Sequence, residues 1–82
     1  MSDLDIADAI WVEAEDAQAK YGDFASMHEA YGVLAEEVAE LFDAVRMKQD
    51  AGSRRAECIE REACQVAAVA VRIALQARRV TR

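Results

Sequence analysis

Proline is absent from this 82-residue chain, and glycine occurs only three times. Both residues interrupt regular helices, so their scarcity favours long uninterrupted helices over a turn-rich β fold. Because 54% of the residues are hydrophobic, collagen-like and disordered chains are also excluded. A chain of this length has room for one hydrophobic core. We therefore predict an all-α fold, with a single helical domain over residues 1–82.

Cysteines and basic residues are also few. Cys58 and Cys64 match neither a CxxC redox site nor a zinc knuckle, so we expect reduced thiols and a cytoplasmic protein. Ten basic against sixteen acidic residues give a net charge of −6, which argues against binding to a nucleic acid polymer and favours a cation as partner. No apolar run is long enough to span a bilayer, and no secretion signal is recognisable, so we expect no membrane partner.

The two glycine-containing breaks divide the chain into three predicted helices, at about residues 3–20, 27–49 and 54–79. Ser2 is the predicted N-cap of the first helix, and Gly22 follows its end. Ser26 and Glu29 form a capping-box pattern that starts the second helix. The third helix begins at Ser53 or Arg54. We predict an antiparallel hairpin of the second and third helices, preceded by a short N-terminal helix.

Apolar residues at helical spacing predict which faces are buried. On the first helix, Leu4 and Trp11 lie nearly opposite the main apolar face, where they line either an interface or a pocket. Every residue from 66 to 71 is apolar, so the third helix is apolar on all sides, and three short helices cannot bury it alone. We therefore expect a homodimer or homotetramer of helix bundles. The predicted core faces are Ile6, Ile10, Ala14 and Ala17 on the first helix, Leu34, Val38, Leu41 and Val45 on the second, and Ile59, Val66, Val69, Ile73 and Val80 on the third.

Two glutamates lie on these apolar faces. At 100° per residue, Glu37 is about 60° from Leu34, and Glu62 is within about 40° of Val69. An ionised carboxylate removed from water is destabilising by several kcal/mol unless it is paired or binds a metal. One interpretation is structural ion pairing with nearby arginines, which would suit a non-catalytic oligomerisation or interaction module. The candidate arginines are Arg46, Arg61 and Arg72.

A magnesium site is the other interpretation. Glu37 and Glu40 lie one turn apart on the second helix, and Glu62 lies on its antiparallel neighbour. Magnesium prefers oxygen ligands, and helix bundles build metal sites from carboxylates on facing helices. The pattern therefore predicts an oxygen-rich Mg²⁺ cage between these two helices.

The same residues resemble a known family. Glu36-Glu37-Val38-Ala39-Glu40 matches an EExxE motif, and Glu62-Ala63-Cys64-Gln65 nearly matches an ExxD motif. Together with the flanking segments 26–31 and 65–70, they are similar to the MazG-like all-α nucleoside triphosphate pyrophosphohydrolases, in particular the small phage and bacterial members. The resemblance covers about residues 26–73.

This resemblance implies a Mg²⁺-dependent hydrolase, with Mn²⁺ as a substitute, that cleaves a ribo- or deoxynucleoside triphosphate to a monophosphate and pyrophosphate. Glu37, Glu40 and Glu62 would bind the metal. Glu36 would orient or deprotonate the attacking water, or support the metal ligands. Gln65 stands where the family has an aspartate ligand. This departure implies weaker binding of one metal, a water in place of the ligand, or loss of catalysis.

Four further side chains are candidates for substrate binding, each with a structural alternative. Trp11 stacks on a nucleobase or fills an interface. His28 contacts a base or phosphate, or is a structural residue near a helix start. Lys20 and Arg72 reach phosphates, or are solvated or ion-paired.

Overall fold

A computed structural model of the protein describes residues 3–48 and 54–80. Over these residues the chain forms α1 (Asp3–Tyr21), α2 (Met27–Val45) and α3 (Arg54–Val80), and no strand. The all-α prediction is confirmed. Neither described stretch contains a helix with both the length and the apolar character needed to cross a bilayer. The positions predicted for Ser2, Gln49 and Ser53 lie outside the described residues.

Gly22 ends α1 in the left-handed conformation, with φ of +71°. Its N–H donates to the Gln18 carbonyl over 2.9 Å, which satisfies one of the last carbonyls of the helix. A side chain at this φ would be strained, whereas glycine adopts it readily. The predicted end near Lys20 is therefore correct to within one residue.

Ser26 begins α2 as predicted, because its hydroxyl oxygen accepts the N–H of Glu29 over 3.0 Å. The second half of the capping box is displaced by one residue. The Glu29 carboxylate accepts the N–H of Ala25 at 3.4 Å, rather than that of Ser26. The cap still satisfies two backbone donors at the helix start.

The predicted extension of α2 to Gln49 is wrong, since the helix ends at Val45. In a continuing helix, the Val45 carbonyl would accept the N–H of residue 49. It instead accepts Nη2 and Nε of Arg55, at 2.7 and 3.2 Å. The Met47 N–H donates to Ala44 over 3.2 Å, which tightens the last turn. A guanidinium from α3 thus caps α2.

Helix α3 is central, because α1 and α2 both pack against it while the backbones of their described residues do not approach each other. The end of α2 meets the start of α3 at the Arg55 contact, and Ala30 near the start of α2 packs near Val69. These contacts make α2 and α3 antiparallel, as predicted. The core cluster contains Phe24, Ala30 and Val69, with Val33, Leu34 and Ile73 partly buried around it.

The predicted core stripe of α2 is only partly correct. Val38 and Val45 are 47% and 42% exposed, although Leu34 and Leu41 are half-buried. Helix α3 packs against the alanine side of α2, where Ala44 is buried, because small side chains let two helices approach closely. Val80, predicted to be core, is also exposed at the end of α3.

The predicted faces of α1 are found. Ala14 is buried, and the rest of its face, Ile6, Ile10 and Ala17, is half-buried. Leu4 and Trp11, which lie outside this face, are exposed.

Gln76 of α3 holds the loop between α1 and α2. Its side-chain oxygen accepts the Phe24 N–H over 2.9 Å, and its side-chain nitrogen donates to the Phe24 carbonyl over 3.0 Å. Both residues are buried. A backbone unit removed from water needs both bonds, and one amide group supplies them.

Two arginines reinforce this attachment. Arg72 is buried, with its guanidinium 4.4 Å from the centre of the Phe24 ring, and it donates to the Gly22 carbonyl over 3.0 Å. Arg79 binds both carboxylate oxygens of Asp23, at 3.0 and 3.1 Å. Together with Gln76, these residues follow one face of α3 at helical spacing, so one face fixes the whole loop.

Candidate metal centre

Three carboxylates from two helices converge beside the α2–α3 contact. Glu37, Glu40 and Glu62 each place one oxygen so that all three lie within 4.8 Å of one another. We call these residues the glutamate cluster. Glu37 and Glu62 are half-buried, whereas Glu40 is exposed. The i, i+3 spacing on α2 directs the first two to one face, and the antiparallel packing of α3 supplies the third.

Burial and like charge both act on Glu37. Its pKa is raised above 4.5, first because the carboxyl is desolvated and then because the charges of Glu40 and Glu62 lie nearby. A hydrogen bond with Glu40 and the charge of Glu36 act in the same direction. The carboxylates of the cluster therefore repel one another, and Glu37 gives up its proton less readily than an isolated glutamate does.

Few cations neutralise the cluster. Arg61 lies next to Glu62, with 3.5 Å between Nε and the carboxylate oxygen, and its side chain is 64% exposed. Arg46 pairs with Asp43 instead, and Arg72 binds Gln18 and Gly22. Among the described residues, no basic side chain lies within ion-pair distance of Glu37 or Glu40. Of the three arginines in the ion-pair interpretation, one, Arg61, contacts the cluster, and it does so from an exposed position.

A groove of about 450 Å³ runs from Glu37 to the loop between the helices. We call it the α1–α2 groove, because α1 and α2 form its walls and α3 its floor. The walls present Glu13, Ala17 and Tyr21 from α1, and Glu29, Val33 and Glu37 from α2. The floor is formed by Gln65, Val69 and Arg72, and Gly22, Asp23 and Phe24 close one end.

Gln65 lies in this groove together with Glu37. It is half-buried and one turn after Glu62 on α3, so the same helical face carries both. Its amide oxygen is a neutral donor, weaker toward Mg²⁺ than a carboxylate. The three carboxylates of the cluster and the Gln65 amide each offer an oxygen ligand, which fits a hard divalent cation.

The remaining predicted residues are spread over the molecule. Glu36 is exposed beside the cluster, and Arg72 is in the floor of the groove. Trp11 instead lines a second cleft, between α1 and α3, which Arg72 also borders. His28 and Lys20 are exposed and line neither space, and the Lys20 ammonium lies 5.2 Å from the centre of the Tyr21 ring.

Sequence reasoning missed Glu13 and Tyr21, which line the groove from α1. Glu13 lies four residues before Ala17 of the predicted core face, so its place on that side of the helix was the available signal. Gln76 was also missed. It lies three residues after Ile73 of the predicted core face, and a glutamine on such a face is the pattern of a buried polar anchor.

No family model, no curated protein and no solved structure matches this chain.

Proposed function

We propose that the protein is a Mg²⁺-dependent nucleoside triphosphate pyrophosphohydrolase that releases a nucleoside monophosphate and pyrophosphate. The observation that carries this proposal is the convergence of the glutamate cluster, one member of which, Glu37, lines a ligand-sized groove. Three carboxylates facing one another in a half-buried place are unfavourable without a cation. Oxygens bound to one Mg²⁺ at about 2.1 Å lie about 3 to 4.2 Å apart, so small side-chain rotations suffice. The resemblance of the EExxE and near-ExxD segments agrees with this function.

Glu37, Glu40 and Glu62 would hold the metal, with Gln65 as a neutral fourth donor. A bound divalent cation would neutralise the polyphosphate and stabilise charge on the leaving pyrophosphate. Glu36, exposed beside the cluster, is the carboxylate assigned to orient the attacking water or accept its proton. Arg72 supplies the cationic side chain in the groove floor, where its positive charge favours the phosphates of the substrate.

Pyrophosphate release from a panel of ribo- and deoxynucleoside triphosphates, with Mg²⁺ and with chelator, tests the proposal. We expect release with Mg²⁺ only, and monophosphate rather than diphosphate as the second product. Glu62→Gln should lower kcat/KM at least about 100-fold, because it removes a metal ligand. Glu60→Gln is the matched control, since Glu60 is exposed on the same helix, and it should leave the rate unchanged. Absence of metal-dependent product with every nucleotide would overturn the proposal.

We further propose that a second copy covers the exposed side of α2, giving a homodimer that can pair into a tetramer. Apolar residues on this side are spaced alternately four and three residues apart, the pattern of a helix that packs along another helix. We call them the outer α2 stripe: Met27, Tyr31, Leu34, Val38, Leu41 and Val45.

Exposure and charge support this assembly. Tyr31 is 70% exposed, and Phe42 beside the stripe is 57% exposed. All acidic residues of α2 lie about 80° or more from the axis of the stripe, although the chain carries a net charge of −6. No large apolar side chain of residues 3–48 and 54–80 is completely buried. A second copy would therefore bring apolar surfaces together without opposing carboxylates.

The molar mass measured by light scattering tests this assembly. Val38→Asp should convert the dimer to a monomer, because two-fold symmetry brings the new charge close to its copy in the partner. Ala56→Asp, at an exposed position of α3, should leave the dimer intact. A wild-type chain that is monomeric at high concentration would overturn the dimer.

The outer α2 stripe and the Arg61–Glu62 contact also favour a second function, a non-catalytic interaction module. In that case the dimer persists, no nucleotide is hydrolysed, and Glu62→Gln weakens assembly rather than turnover. Measuring pyrophosphate release and molar mass on the same variants separates the two functions.

A further inference from the structure

The second cleft has the size and lining of a small-molecule site. It encloses about 480 Å³ between α1 and the end of α3, within the usual range for ligand pockets. We call it the α1–α3 cleft. It contains no member of the glutamate cluster and shares only Arg72 with the α1–α2 groove. Its lining is Trp11, Ala14, Glu15, Gln18 and Ala19 from α1, with Arg72, Leu75, Arg78 and Arg79 from α3.

Small and aromatic side chains shape the apolar part of this cleft. Ala14 and Ala19 leave space between the helices, and Leu75 supplies a half-buried aliphatic surface on α3. The Trp11 side of the cleft is open, since that residue is 50% exposed. An indole next to an apolar wall forms a slot in which a planar ring stacks.

The charge of the cleft is opposite to that of the chain. Three of the ten basic residues line it, against the single carboxylate of Glu15. With Arg79 paired to Asp23, two guanidinium groups and one carboxylate leave a formal charge of +1, compared with −6 for the whole chain. The Arg79 guanidinium is bound to Asp23. Arg72 uses Nε and Nη2 for Gln18 and Gly22, and its Nη1 donates to no other described group.

We infer that the α1–α3 cleft binds a planar aromatic ring that carries an anionic group, independently of any metal. The ring stacks on Trp11 against Leu75, and the anion lies beside the guanidinium groups of Arg72 and Arg78. Arginine beside an aromatic ring suits this pair of features, because guanidinium groups both stack and bind oxyanions. Nucleoside monophosphates and aromatic carboxylates share this chemistry. The inference does not rest on the proposed hydrolase activity, since the cleft contains none of its metal ligands.

Tryptophan fluorescence measures this binding directly, because Trp11 is the only tryptophan in the chain. The intact protein is titrated in chelator with adenosine monophosphate, with 2-naphthoate, with the neutral nucleoside adenosine, and with inorganic phosphate. We expect saturable quenching by one or both anions, at concentrations below about 1 mM, and none by adenosine or inorganic phosphate alone. Quenching by the nucleotide alone assigns the site to nucleotides, whereas quenching by both assigns it to aromatic anions in general.

Variants locate the site. Arg78→Gln should weaken the binding of the anions about tenfold. Arg46→Gln is the control and should not change the binding, because Arg46 lies at the end of α2, away from the cleft. Leu75→Glu should abolish binding, with helical circular dichroism showing that the chain remains folded. If Leu75→Glu unfolds the chain, the Arg78→Gln and Arg46→Gln pair decides the result. Absence of saturable quenching, equal quenching by adenosine, or equal weakening by Arg46→Gln would overturn the inference. An emission spectrum that changes with protein concentration and with no ligand would also overturn it, since a second copy would then fill the cleft.

Discussion

Helix α3 carries two polar regions that differ in how their polar groups are satisfied. In one region each group has a hydrogen-bond partner, and in the other, groups of the same charge face one another. Near its end, Gln76 and Arg79 are matched to the loop between α1 and α2, and each polar atom that they bury has a partner. In its first half, Glu62 faces two further carboxylates, and the one basic side chain of the described residues within ion-pair distance is the exposed Arg61. Matched polar groups specify the fold. Converging groups of one charge are unfavourable for the fold, and it is in this region that we propose a bound cation.

The stability of the protein should be more sensitive to truncation of a side chain in the Gln76 region than in the Glu62 region. Gln76→Ala removes both partners of the buried Phe24 backbone, and an unsatisfied buried group costs about 1–3 kcal/mol. We therefore expect the free energy of unfolding to fall by about 2–4 kcal/mol, measured by chemical denaturation. Gln65→Ala is the matched control, because Gln65 is half-buried on the same helix and its side chain forms no hydrogen bond with any described residue. Equal losses for the two variants would contradict the distinction between the regions.

The converging region should respond in the opposite sense. Without metal at neutral pH, Glu37→Gln should raise the free energy of unfolding by about 0.5 kcal/mol, because it removes repulsion from neighbouring carboxylates. The pH dependence follows from the raised pKa of Glu37. The folded chain holds this proton to a higher pH than the unfolded chain, so wild-type stability falls as the pH rises from 4.5 through the raised pKa.

The gain from Glu37→Gln should therefore grow over that pH window and disappear below pH 4.5. Urea unfolding of both proteins across this range measures it. Glu60→Gln controls for the loss of one negative charge from the whole chain. A Glu37→Gln variant that is less stable than wild type at neutral pH would show that the carboxylate serves the fold.

The smallest effect is expected at the Asp23–Arg79 ion pair. Its two charges are paired with each other, but both side chains are exposed to solvent. The hydrogen bonds from Arg79 and Gln18 lower the pKa of Asp23 below 3.8. Its stabilising contribution is present above the unfolded pKa and is lost as the pH falls through the lowered value. Asp23→Asn should thus weaken the chain slightly at neutral pH, and the difference from wild type should vanish in acid. Thermal unfolding in low and high salt checks this, because salt screens an exposed pair.

Local signals in the sequence predicted much of this architecture. Gly22 and Ser26 mark the end of α1 and the start of α2 through short-range hydrogen bonds, which sequence displays directly. The end of α2 was not predictable in this way, because Arg55 caps it from another helix. The Gln76 clamp also joins residues far apart in the chain.

Periodicity also predicts which residues share a face, but it does not decide which neighbour that face meets. The face carrying Glu37 does pack toward α3, which places it near Glu62. The stripe through Val38 is only half used in this way, since Leu34 packs against the core cluster while Val38 and Val45 are exposed. Trp11 shows the same limit, since its side of α1 adjoins the end of α3 rather than the glutamate cluster.

Mn²⁺ binding, followed by the loss of the free-ion signal in electron paramagnetic resonance, tests the central claim most directly. The claim is that Glu37, Glu40 and Glu62 converge because a divalent cation binds between them. Wild-type protein should bind at least one Mn²⁺ per chain, displaced by excess Mg²⁺, and binding should fall at least about tenfold in Glu62→Gln while Glu60→Gln remains unchanged. Equal Mn²⁺ affinity in wild type and Glu62→Gln, or no binding by either, would contradict the claim.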